Sequence, residues 1–280
     1  MIDRQAVDLN RALKKERQLE RLLSGFEAAL VAFSGGVDSA YLLNKALKVI
    51  GREKVLAVTV SSALIRPKEI EAAAALARKL QAEHLVLDLN LLENEKISDN
   101  PPERCYYCKK IIYTKLLEVA SLRDYGKVLD GSNADDLTDH RPGIRALEEL
   151  DIPSPLLETS LGKSEIRLLA EQAGLPVWDK PAAACLASRI PYGDKITGHK
   201  LKQVAEAESF LRQLGVKQDL RVRCHGDLAR IEVNKTDLDG LLTQRDSVVA
   251  KLLELGFIYI TIDLKGFESG SMNRLFLPPG

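Results

Sequence analysis

Short apolar runs and longer amphipathic stretches take turns along the first two thirds of the chain. Residues 3–25 carry Leu9, Leu13, Leu19, Leu22 and Leu23 near helical spacing, with charged residues between, which predicts a helix. Leu30, Val31, Ala32 and Phe33 form a run suited to a central parallel strand. A helix follows from about Asp38 to Ile50, closed by Gly51. Lys54–Val60 reads as a strand, Pro67–Leu80 as an alanine-rich helix and His84–Asn90 as a third strand. Lys127–Asp130 is a fourth strand, Pro155–Glu158 a short fifth, and Lys163–Ala173 a helix ended by Gly174. Strand and helix in turn predict an α/β fold with a parallel sheet covered on both faces. Ligands of such sheets lie off the carboxyl ends of the strands, where Ser61 and Ser62 fall.

The rhythm changes after Thr197. Lys200–Leu214 is an amphipathic helix, Leu220–Cys224 and Ala229–Val233 are strands, Leu238–Leu255 is a helix and Tyr259–Leu264 a last strand. This order predicts a smaller α+β module, so the expected domains are 1–197 and 198–280. The Gly-, Ser- and Pro-rich tail from Gly266 reads as loop.

Composition narrows the class. The 280 residues suffice for two cores, 45% are apolar, and 40 basic residues balance 40 acidic ones. Neutral charge speaks against a large nucleic-acid footprint. No run approaches the roughly 20 apolar residues of a membrane helix. The charged N-terminus has no signal-peptide core, so a cytoplasmic protein without membrane contact is expected. For four cysteines in such a chain, metal or sulfur chemistry is a better expectation than disulfides.

The densest candidate is Ser34-Gly35-Gly36-Val37-Asp38-Ser39, between a strand and a helix. Glycines let the backbone approach a ligand, and the N–H groups of a helix start attract anions. Ser34 and Ser39 add hydroxyls, and Asp38 is out of place in a phosphate cradle unless it helps to hold a cation such as Mg²⁺. The bland alternative is a tight turn with a capped helix. The string lacks a Walker lysine and the G-x-G-x-x-G spacing. It resembles the PP-loop of the ATP pyrophosphatase superfamily, which implies an adenine nucleotide alpha hydrolase-like, Rossmann-like domain that binds ATP, adenylates a carboxylate or similar group, and releases pyrophosphate.

Further stretches carry chemistry of their own. Cys105-Tyr106-Tyr107-Cys108 opens a helix, bringing two sulfurs together where the dipole lowers thiol pKa. A zinc ribbon would need a second such pair, which the sequence lacks. Asp130-Gly131-Ser132-Asn133-Ala134-Asp135-Asp136 is an acidic turn at a strand end. It can bind Mg²⁺ or a ribose, or be a solvated turn, and the superfamily often has a similar turn there. Arg141, in the His140–Gly143 loop, is a candidate phosphate contact. Residues 177–193, VWDKPAAACLASRIPYG, read as a proline-bounded loop holding Cys185 beside Ser188, Arg189 and Tyr192. Arg221 and Arg223 share a strand face. They can bind a phosphate or carboxylate, or pair with Glu208 or Glu232.

Together SGGVDS, DGSNADD, HRPG, ASRIPYG (187–193), RVRCHGDLARIE (221–232) and ITIDLKGFESGSMN (260–273) resemble the LarE family over nearly the whole chain. These are ATP-dependent sulfur transferases of nickel-pincer nucleotide synthesis, serving lactate racemase. The resemblance implies a small-molecule substrate, a pyridinium dicarboxylate mononucleotide whose carboxylate is adenylated and converted to a thiocarboxylate. It implies ATP contacts at Ser34, Gly35, Gly36, Asp38, Ser39, Ser61, Asn133, Asp135 and Arg141, and substrate contacts at Ser188, Arg189, Glu208 and Arg221. Asp38 and Cys185 take the catalytic roles. Cys105, Cys108 and Cys185 match the variety in which three thiolates hold a [4Fe–4S] cluster, whose open iron can carry an extra sulfide. Sulfide or a cysteine-derived sulfur is the expected donor, and a homo-oligomer is expected. The rival readings are sacrificial sulfur transfer from Cys185, a tRNA-thiolating enzyme, an amide-forming synthetase and a nucleotide-sensing module.

Overall fold

The computed structural model describes residues 8–137, 142–181, 184–216 and 219–268. It divides into two compact units. One comprises Met1–Asn90 with Cys105–Ala183, the other Leu91–Arg104 with Ala184–Gly280.

The first unit opens with α1 (Leu9–Leu23), whose Asp8 carboxylate accepts from the N–H groups of Asn10 and Arg11. Then come β1 (Ala29–Ala32), α2 (Val37–Val49), β2 (Val55–Ser61), α3 (Pro67–Lys79) and β3 (Glu83–Asp88). The chain passes through α4 (Glu95–Ser98) of the second unit into α5 (Arg104–Leu122), and returns as β4 (Lys127–Leu129), α6 (Pro142–Glu149), α7 (Pro155–Glu158) and α8 (Lys163–Gln172). The four strands form one sheet in the order β3-β2-β1-β4, and every pairing is parallel. Alternate strand residues face opposite layers. Ala29, Val31, Val55 and Ala57 join the buried face of α1, α2, α3 and α8. Leu30, Leu56, Val58 and Val128 pack against Tyr113, Leu116 and Ala120 of α5. The expected parallel α/β domain is therefore present.

Two local expectations are corrected. Residues 155–158 form α7 and not a fifth strand. Pro155 supplies a helical φ where no N–H is needed, and the Glu158 carboxylate accepts from the Ser154 N–H at 2.9 Å. The loop expected through Pro142 and Gly143 is instead the start of α6, with proline again in its first turn.

The second unit adds α9 (Gly198–Gln213), β5 (Leu220–His225), β6 (Leu228–Val233), α10 (Lys235–Thr243), α11 (Arg245–Glu254) and β7 (Tyr259–Ile262). Its sheet runs β5-β6-β7, antiparallel then parallel. The single helix expected over 238–255 is two. Gln244 interrupts it, and its amide donates to the carbonyls of Leu214 and Gly240. Residues 184–197 belong to this unit, not to the first domain as expected. The Asn100 amide donates to the carbonyls of Ile190 and Pro191, and Arg189 is paired with Glu208 of α9.

Candidate active site

The nucleotide loop of the first unit is held by its own serines. Ser39 Oγ donates to the Gly36 carbonyl at 3.2 Å and accepts from the Ser34 N–H at 3.3 Å. The two hydroxyls lie 3.1 Å apart, and Ser34 Oγ accepts from the Gly36 N–H. Gly35 has φ +70°, and a Cβ there would stand 2.9 Å from the Cβ of Ala73 on α3. Only glycine meets both conditions. Gly36 precedes α2 without a side-chain cap, and an uncapped helix start of this kind suits an anionic ligand. Ser61 ends β2, beside β1 in the sheet.

Asp38 stands in the first turn of α2. Its Oδ2 accepts from Lys163 Nζ at the start of α8, while its Oδ1 is buried with no hydrogen-bond partner among the described residues. Burial pushes this carboxyl up from the ordinary range, against the pull of the Lys163 ammonium. An orphaned carboxylate oxygen beside an anion cradle fits a cation. Lys163 escapes sequence reading because 125 positions separate it from Asp38.

The 130–136 turn closes the same end of the sheet. A Cβ on Gly131 would stand 3.3 Å from Ser39, so this turn packs directly on the nucleotide loop. Buried Asn133 accepts from the Asp135 N–H and donates its own N–H to Asp136. Asp135 is exposed, and its Oδ2 accepts from the Lys163 N–H at 2.8 Å. Arg141 lies outside the described residues.

Asp130 anchors the helix of the cysteine pair. It accepts from Tyr113 Oη and, more loosely at 3.4 Å, from Lys109 Nζ, both on α5, and from the Ser132 N–H at 2.7 Å. Burial pushes its carboxyl up. The charge of Lys109 and these hydrogen bonds outweigh that, and it lies below the usual carboxylate range. Cys105 and Cys108 occupy the first turn of α5, the first exposed and the second half-buried.

Cys185 belongs to the second unit and is exposed. Three donors hold its carbonyl: the Ser188 N–H at 3.1 Å, Ser188 Oγ at 2.8 Å and Arg189 Nη1 at 3.1 Å. Arg189 in turn makes a two-pronged pair with Glu208, at 2.8 and 3.1 Å, and both side chains are 1% exposed. Glu208 also accepts from the Val222 N–H at 3.1 Å. Arg189 and Glu208, both expected substrate contacts, form an internal ion pair that fixes the Cys185 segment. Of the two arginines of β5, Arg223 pairs with Glu232 at 2.6 Å. Arg221 donates to the Leu220 carbonyl and lies over the Phe267 ring. Burial, then the nearby Arg189 charge, lowers its pKa to about 10. Cys224 is buried, and burial pushes its thiol up. Among the described residues no group of three or more His, Cys, Asp or Glu side chains is gathered to hold a metal ion.

Comparison with known proteins sharpens this picture. Residues 13–100 match the NAD synthase family, a span that contains the nucleotide loop. The pyridinium-3,5-bisthiocarboxylic acid mononucleotide synthase of Lactiplantibacillus plantarum is 40% identical over 259 residues, 92% of this chain and 94% of that one. The chain belongs to the LarE family. It is an ATP-dependent sulfurtransferase by that membership. An uncharacterised Synechocystis protein is 41% identical over 93% of this chain and 98% of its own length. A glutamine-hydrolysing GMP synthase of Aeropyrum pernix is 29% identical over 68% of this chain and 40% of its own length. No described helix is long and apolar enough to cross a membrane.

Proposed function

We propose that the protein converts a carboxylate of a pyridinium dicarboxylate mononucleotide to a thiocarboxylate. The observation that carries this reading is the 40% identity, over 92% of the chain, to a synthase named for a bis-thiocarboxylated product. The site chemistry supports it. The carboxylate attacks the α-phosphorus of ATP, and pyrophosphate leaves with its charge met by the α2 N–H groups, Ser34 and Ser39. Asp38 and Asp135 would hold a Mg²⁺ ion, which would supply further charge stabilisation. A sulfur nucleophile then adds to the acyl carbon of the adenylate and AMP departs.

The exposed thiols are the sulfur end of this proposal. Cys105, Cys108 and Cys185 are its ligands for a [4Fe–4S] cluster, and Cys185 is the residue nearest the transfer in function. When bound, a three-thiolate cluster supplies an exchangeable sulfide that spares the protein's own sulfur. Two exposed thiols and a half-buried one suit a carrier better than a core role. Arg221, partly desolvated beside Arg189 and hydrogen-bonded to a backbone carbonyl, is the proposed contact for the substrate phosphate.

The test is an anaerobic preparation incubated with the mononucleotide, ATP, Mg²⁺ and sulfide. AMP and a thiocarboxylate should form together, and the protein should be brown until Cys105→Ala bleaches it. AMP without sulfur incorporation would reject sulfur transfer. A colourless active protein with Cys185 lighter by one H₂S after turnover would replace the cluster with sacrificial transfer. Thiolation of tRNA in place of the mononucleotide would reject the substrate.

A further inference from the structure

The nucleotide loop has no lysine of its own, yet one reaches it from another part of the first unit. Lys180 Nζ lies 2.7 Å from Glu69 Oε2 and 3.4 Å from the carbonyl oxygen of Gly35. Both ends of this contact are built on fixed structure. Glu69 and Ala73 are one turn apart on α3, and Ala73 is the residue against which Gly35 packs. The Lys180 backbone is pinned as well: its carbonyl accepts from Arg167 Nη2 at 2.9 Å, and its N–H donates to the Val177 carbonyl. Only the side chain is at liberty to move. Its ammonium has three donors. Glu69 takes one firmly, the Gly35 carbonyl takes another at a long distance, and the group is 24% exposed.

We propose that Lys180 is a phosphate-contacting residue of the nucleotide site, held in reserve by Glu69 until a polyphosphate arrives. A Walker loop carries a lysine to the β- and γ-phosphates within its own sequence. Here the fold brings an equivalent charge to the loop from 145 residues away. The bound anion competes with Glu69 for the ammonium. Lys180 then adds to the charge stabilisation of departing pyrophosphate, as a compact cation suits. This deepens the adenylation reading above and rests on it for the identity of the nucleotide.

Glu69→Gln and Lys180→Met separate this role from a structural latch. A latch loses the same contact in either variant, so both would weaken binding. A reserved lysine predicts opposite signs. The probes are ATP and inorganic pyrophosphate, titrated calorimetrically into the full chain, with circular dichroism to establish folding. Lys180→Met should weaken both anions about tenfold or more, as loss of a charge-assisted hydrogen bond does. Glu69→Gln should tighten them roughly two- to fivefold, the scale of an exposed ion pair released. The double variant should match Lys180→Met, and Lys180→Arg should keep most of the affinity. Parallel losses in both single variants, or no change in Lys180→Met, would overturn the assignment. The adenylation reading is judged separately, by AMP formation in the wild type. Opposite signs without AMP would sink that reading and leave this one standing.

Discussion

Removing the Glu208 carboxylate isolates what the buried ion pair of the second unit contributes. In Glu208→Ala the Arg189 guanidinium, 1% exposed, keeps its charge and loses its two-pronged partner. The Val222 N–H loses its acceptor in the same change. Breaking a buried pair from one side costs about 3–5 kcal/mol, because the surviving charge is stranded. A domain has roughly 5–15 kcal/mol in total, so about a fifth of the stability or more goes. Urea titration by circular dichroism should show the loss, and hydrogen–deuterium exchange should locate it. Peptides over β5 should exchange on the order of 10²–10⁴ times faster, at about 1.36 kcal/mol per factor of ten. The paired change Arg189→Met with Glu208→Leu removes both charges and should recover most of the loss. A single-variant cost below about 1 kcal/mol, the ceiling for an exposed pair, would refute burial of this one. A double variant no better than the single would show that the stranded charge was not the cause.

Other predictions concern the first unit and the substrate. Gly35→Ala must place a side chain at φ +70° and 2.9 Å from the Cβ of Ala73, so ATP binding should fall at least tenfold, by calorimetry. His84 Nε2 lies 2.8 Å from Thr59 Oγ1, which donates to the Phe33 carbonyl, and burial depresses the imidazole below its usual 6.5. The unfolded chain therefore takes up this proton more readily. The stability His84 contributes is complete above pH 6.5 and is lost as pH falls through the lower folded value. His84→Gln should flatten that part of the urea-midpoint profile, and an unaltered slope would assign it elsewhere. Arg221→Met should raise KM for the mononucleotide about tenfold or more while moving the urea midpoint little, since among the described residues the side chain's hydrogen bond goes only to the neighbouring Leu220 carbonyl. Asp38→Asn should abolish AMP formation, and Mg²⁺ titration should no longer rescue it.

The parallel core was legible because its strands are continuous apolar runs, and Leu30–Phe33 followed at once by two glycines has few other readings. What local pattern could not show was pairing across the chain. Pro155-Leu156-Leu157 is equally good as a strand or a helical turn, and the deciding contact is Glu158 folding back on Ser154. Lys163 and Lys180 carry no signature of their own. Each gains its meaning from a partner brought near by the sheet. Arg189 and Glu208 stand out chemically in the sequence, but the 19 positions between them hide that they meet each other.

The way the cysteine helix is fastened bears on how this scaffold can change. Its hold on the sheet comes from Lys109, Tyr113, Leu116 and Ala120, whereas the Cys105 side chain is exposed and that of Cys108 half-buried. Neither thiol belongs to the apolar clusters that hold the sheet and its helices together. On the proposed reading, the sulfur end of the reaction rests on residues that carry little of the fold, and a lineage can change it while the nucleotide loop, packed into the parallel core, is inherited apart from it.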